Sequence, residues 1–251
     1  MKTLSKWHPI LACAFSLDAQ ITTTLNRLPD GLDEVRIRNN SATSLVAFVI
    51  TVKQRPRSAY SSNAPFVVYS DPLIEPETNP LLAHEERMVF ARGVAPGQDP
   101  LSRPRCHGEC SLLEEPIITA GILADGTTTG DKALLNRLIL RRSNMLQAVE
   151  ITLETLSDAG RHNVSRDQLI EHFRKLADSV SRWYLPPEQQ VGRGLYQSIV
   201  GNLMDLPEGQ AGSPFPPVTF VALETATLNR QRVTLLESEP SLADAFLVST
   251  R

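Results

Sequence analysis

Several familiar ways of making a protein are closed off by what this sequence has little of. It contains only 3 cysteines in 251 residues, too few for a scaffold held together by disulfides in place of a core. No apolar run approaches the roughly 18 residues needed to cross a bilayer, the longest in the body of the chain being Leu45 to Ile50, so no membrane span is expected. Neither sign of charge dominates: 25 Lys and Arg stand against 28 Asp and Glu, for a net charge of −3, and no block of like charge occurs. A nucleic-acid binder working through a basic surface is therefore not expected. There is also no internal repeat at solenoid spacing.

What is present is an ordinary globular composition. The apolar fraction of 41% is enough to build a core, and a chain this long holds one large domain or two modest ones. Most of the 18 prolines fall between residues 55 and 117 or between 186 and 240, which marks those stretches as rich in loops.

The first residues have the layout of a secretory leader. Lys2 and Lys6 precede the apolar segment Ile10 to Leu17, and Asp18-Ala19-Gln20 offers a small residue for cleavage. We read residues 1–19 as a signal peptide and expect an exported protein, periplasmic or secreted. The alternative is a cytoplasmic protein whose first element is a short buried helix or strand. Cleavage after Ala19 removes Cys13 and leaves Cys106 and Cys110, an even count suited to one disulfide in an oxidising compartment.

Residues 20–130 carry strand signals. Val35 to Arg38 alternates, Asn39-Asn40-Ser41 reads as a turn, and Ser44 to Lys53 resumes as a long strand. Along it Val46, Phe48, Ile50 and Val52 point one way and Leu45, Ala47 and Val49 the other. Because both faces are apolar, the strand should be covered on both sides. Phe66 to Tyr69, Arg87 to Ala91 and Ile117 to Ala124 are further strands, with Ile21 to Leu25 as an edge. Short strands joined by Pro-rich loops predict an antiparallel sandwich of immunoglobulin-like architecture.

The period changes at Asp125-Gly126, and residues 131–251 read as helical. Asp131 caps a helix running to about Asp158 and ended by Ala159-Gly160. Ser165 and Gln168 form a capping box for a second helix, which Pro186-Pro187 stops. A third is expected from Glu188 to Met204 despite its glycines, and a fourth over Val218 to Leu236. The fold class predicted is thus α+β, a β-sandwich followed by a helical region.

Chemistry is harder to find. Cys106-His107-Gly108-Glu109-Cys110 is the densest cluster, and we take Cys106 and Cys110 as a disulfide. Two thiols and His107 could instead supply three zinc ligands, but no second C-x-x-C or H-x-x-x-H pair completes a structural site. His84-Glu85-Glu86-Arg87-Met88 starts like a zinc protease motif and has Met88 where the second histidine belongs. Asp125-Gly126-Thr127 has Leu123 where a phosphatase of the D-x-D-G-T type keeps its nucleophile, and Thr127 where a phosphate loop keeps lysine. Each near-match fails at the residue that does the chemistry, so no catalytic, cofactor or metal residues are assigned. His107, Asp125 and Asp131 remain as candidates to face a ligand at the junction of sheet and helix. Arg137, Arg141 and Arg142 on the following helix read as a solvated basic face, able to pair with an acidic partner.

The stretch Val35 to Lys53 with its Asn39-Asn40-Ser41 turn, followed by Ala124-Asp-Gly-Thr-Thr-Thr-Gly-Asp131 and a helix carrying Arg141-Arg142, resembles a group of uncharacterised exported bacterial proteins. That resemblance spans roughly residues 20 to 160. It implies a sandwich leading into helices, and export, and brings no functional residue with it. The leading expectation is a non-enzymatic exported module that binds a protein or small ligand or serves structurally. A hydrolase with a site near residues 107–131 and a cytosolic adaptor that binds its partner through the helices are the alternatives.

Overall fold

The computed structural model describes residues 20–27, 33–55, 65–75, 78–91, 112–162, 164–181, 185–206 and 218–242. The signal-peptide reading of residues 1–19 and the Cys106 to Cys110 cluster with His107 lie outside them. Among the described residues seven strands precede the helices, giving an α+β chain. The strands are β1 (Ile21–Arg27), β2 (Asp33–Asn39), β3 (Leu45–Arg55), β4 (Phe66–Ser70), β5 (Glu86–Ala91), β6 (Leu112–Leu123) and β7 (Thr128–Gly130). They form two antiparallel sheets, one in the order β1-β2-β5 and the other in the order β4-β3-β6-β7. β1 is indeed an edge strand.

The long strand β3 is covered on both faces, as its composition requires. Phe48, Ile50 and Val52 join Ile118 of β6 in a cluster with Ile21, Val35 and Ile37 of the other sheet. On the opposite face Ala47, Val49, Ala120 and Ile122 meet Leu138 of the first helix. Burying each such valine or isoleucine is worth about 1.5–3 kcal/mol. Strict alternation fails at one end of the strand. Leu45 sits with the Phe48 face and Val46 with the Ala47 face, because the β3–β6 register slips between Leu45 and Ala47. A bulge adds one residue to one strand and so exchanges the faces of everything beyond it.

Asn39 closes the turn after β2. It is fully buried, its Nδ2 donates to the carbonyls of Thr43, Leu81 and Leu82, and its Oδ1 accepts from the N–H and hydroxyl of Ser41. Leu45 and Leu81 exchange both main-chain hydrogen bonds at 2.9 Å. The segment before β5 is thereby tied to the start of β3.

The helices are α1 (Lys132–His162), α2 (Arg166–Ser179), a 3-10 turn (Pro187–Gln189), α3 (Arg193–Met204) and α4 (Val218–Leu236). α1 has 31 residues, about 46 Å at 1.5 Å per residue, which is long enough to serve two cores. Its first turns lie on the second sheet through Leu134, Leu135 and Leu138. Its later turns, through Met145, Val149 and Leu156, pack with Phe173 of α2, Ile199 and Leu203 of α3, and Leu228 and Leu235 of α4. Thr152 is the polar residue in that interior, and its hydroxyl donates to the Ala148 carbonyl at 2.8 Å.

Ser165 and Gln168 form the expected capping box of α2. Two glycine readings are corrected. Gly160 does not end α1, which continues to His162, since tertiary packing on Leu156 and Ala159 outweighs the roughly 1 kcal/mol that a helical glycine costs. Gly192 is not inside a helix but begins α3 at φ +88°, where an added Cβ would lie 2.8 Å from the Ala148 Cβ. A left-handed backbone pressed against α1 leaves room for no other residue.

Candidate functional site

Asp125 and Asp131 come from the turn between β6 and β7 and from the entrance to α1. The Asp125 Oδ1 accepts the Thr127 N–H at 3.0 Å, and hydrogen bonds from Thr127 hold this exposed carboxyl below its ordinary pKa. Gly126 supplies the positive φ of that turn, +81°. The Asp131 Oδ1 accepts the N–H groups of Ala133 and Leu134 at 2.8 and 3.0 Å. Both carboxylates are thus engaged by their own backbone, one in an Asx turn and one as the cap of α1. Asp131→Ala should lower stability by about 1 kcal/mol in urea unfolding while Asp131→Asn, an equally good cap, costs far less. A loss of similar size from asparagine would mean that the negative charge itself is needed there.

The arginines of α1 give the main correction to the sequence reading. Arg137 is exposed, as a solvated face would have it, and is held above its ordinary pKa chiefly by the Tyr69 phenol, then by Glu188 and Asp131. Arg141 and Arg142 are buried, with relative exposures of 8% and 1%. They reach across to the loop that follows β4. Arg142 Nε donates to Asp71 Oδ2 at 2.6 Å and its Nη2 to Oδ1 at 3.4 Å, while Nη1 donates to the Glu239 carbonyl at 3.0 Å. Asp71 is itself fully buried and also accepts the Leu73 N–H. Arg141 donates to Glu75 at 2.8 Å and to the Pro187 carbonyl at 3.3 Å, and its guanidinium lies 4.8 Å above the Tyr69 ring. Sequence spacing offered the arginines as partners for acidic groups; it did not reveal that the groups belong to the same chain, 71 residues away in the case of Asp71.

Beside this clamp a cleft of about 410 Å³ opens where the second sheet, the loop after β4 and the end of α4 meet. Val46, Pro72, Leu73, Leu123 and Ala124 form its apolar wall. Thr234, Glu237, Ser238 and Glu239 form its polar side, with Arg142 between the two. Its position explains why no motif announced it: the lining comes from β3, the loop after β4, the segment before β5, the end of β6 with its turn, α1 and the end of α4, each contributing one to four residues. Asp125 and Asp131 do not line it, although Gly126 does.

No family model, curated protein or solved structure matches this chain.

The chemistry available in the cleft follows from where its polar atoms point. The Thr234 hydroxyl donates to the Arg230 carbonyl at 2.9 Å and the Ser238 hydroxyl to the Leu235 carbonyl at 2.7 Å, so each is turned back onto its own helix. Among the described residues no histidine or cysteine lines the cleft. Among the described residues no group of three or more His, Cys, Asp or Glu stands close enough to hold a metal ion, and no helix is long and apolar enough to cross a membrane.

Proposed function

We propose that this chain is an exported, non-enzymatic module that binds a ligand in the cleft between its second sheet and the end of α4. The observation that carries the reading is the cleft itself. Its volume falls within the roughly 300–1,000 Å³ of small-molecule sites, it lies at a junction between layers, and it joins an apolar wall to a few polar groups. Hydroxyls turned back onto helix carbonyls fit binding better than nucleophilic attack, which needs a base beside the attacking oxygen. The buried clamp at Arg142 supports the same reading, because a wall fixed by a bidentate ion pair is formed before the ligand arrives.

The immunoglobulin-like part of the reading is supported by connectivity. Strand orders β1-β2-β5 and β4-β3-β6-β7 are those of a seven-stranded Greek-key sandwich with three and four strands, and the two sheets share one apolar cluster. Export is supported by the arrangement of basic, apolar and small residues over positions 1–19 and by the resemblance to exported bacterial proteins.

Two experiments test these readings. In a ligand-observed NMR screen of the native protein, fragments should bind and be displaced by filling the cleft with Ala124→Phe; hits indifferent to that substitution would remove the cleft as the site. Intact mass of the native protein from fractionated cells should lack the first 19 residues and two further hydrogens, one disulfide's worth. A full-length, reduced mass in the cytosolic fraction would instead select the adaptor reading.

A further inference from the structure

We infer that the ligand of the cleft is a small organic cation, an aliphatic body carrying an ammonium or similar donor-rich group; the inference rests on the cleft being a ligand site. Three observations lead there. The positive charge in the wall is already matched: Arg142 is 1% exposed and directs its guanidinium to Asp71 and the Glu239 carbonyl, so it presents almost nothing to a ligand.

Among the described residues the remaining polar side chains of the lining face it as acceptors. The Thr234 and Ser238 hydroxyls have given their protons to helix carbonyls, leaving only lone pairs to face a ligand. The carboxylates of Glu237 and Glu239 are exposed and make no hydrogen bond or ion pair among the described residues. The main chain of Glu239 is fixed by Arg142, whose Nη1 donates to its carbonyl at 3.0 Å. An ammonium group has three donors and no acceptor, the complement of this rim. The third observation favours an organic cation over a bare metal ion: Val46, Pro72, Leu73, Leu123 and Ala124 offer no oxygen ligand from their side chains and suit a hydrocarbon body, and among the described residues no three His, Cys, Asp or Glu stand close enough to hold an ion.

The test compares three probes of one shape, cyclohexylmethylammonium, cyclohexylmethanol and cyclohexanecarboxylate, by calorimetry or ligand-observed NMR on the full chain at low salt. The ammonium should bind about tenfold or more tightly than the other two, and less tightly as salt is raised. The double substitution Glu237→Gln and Glu239→Gln, which keeps the main-chain bond to Arg142, should reduce ammonium binding about tenfold and leave the alcohol unchanged. Both sites are exposed, so the unfolding midpoint should not move. Equal binding of the alcohol or carboxylate, or indifference to the double substitution, would overturn the cation and leave the cleft standing. Failure of all three probes, or binding unaffected by Ala124→Phe, would overturn both.

Discussion

Replacing Arg142 with methionine is expected to remove about 3–5 kcal/mol of folding stability, a large part of the roughly 5–15 kcal/mol typical of a domain. Methionine keeps the apolar stem but lacks the outer atoms of the guanidinium, so part of the loss is packing and the larger part is the charge left stranded. Asp71 would keep its charge at 0% exposure with only the Leu73 N–H to satisfy it, and the Glu239 carbonyl would lose its donor. Leaving one member of a buried pair behind costs much more than the pair is worth against a neutral replacement. The double variant Asp71→Asn with Arg142→Met should therefore recover a substantial part of the loss, since asparagine can still accept the Leu73 N–H. Urea unfolding followed by circular dichroism gives both numbers. A single-variant loss under about 1 kcal/mol, or a double variant as unstable as the sum of the two singles, would mean that the clamp does not hold the β4 loop to α1.

The second large effect is expected at Gly130, where the chain leaves β7 for α1. Its φ is +97°, and an added Cβ would lie 2.2 Å from the Thr119 carbonyl oxygen and 2.8 Å from the Ala120 Cα. These are main-chain atoms that cannot step aside as a flexible side chain would. The same Thr119 carbonyl accepts the Asp131 N–H at 2.7 Å, so any shift that relieves the clash pulls on the cap of α1. Gly130→Ala should cost about 3–4 kcal/mol, combining backbone strain with the displaced crossing. Gly194→Ala is the control. That residue lies in α3 with open space around it, and alanine there should be neutral or stabilising by up to about 1 kcal/mol. A loss under about 1 kcal/mol at Gly130, no larger than the change at Gly194, would show that the crossing at Thr119 gives way to an added methyl group.

Both predictions concern the join between sheet and helices, and so does the cleft. Arg142 forms part of the cleft and also holds Glu239 beside it, which couples the shape of the site to the stability of the join. A cation held by Glu237 and Glu239 would in turn add to folding stability in proportion to its binding.

Read along the chain alone, the local signals went far. The apolar faces of β3 announced a strand covered on both sides, and Asp131, Ser165 and Gln168 announced where α1 and α2 begin, because a cap or a period is written in residues close together. Contacts between distant segments were not legible. Arg141 and Arg142 looked like a wet face because a helical pattern counts charges as exterior, and only the arrival of Asp71 and Glu75 makes their burial affordable. The bulge that exchanges Leu45 and Val46 arises from pairing with β6, the left-handed Gly192 from contact with Ala148, and the cleft from six segments that fold together. Hydrogen-bond periodicity and capping act within a few residues, so order along the chain suffices for them; charge pairing, register and concavity depend on which surfaces meet, and that is set by burial of the whole.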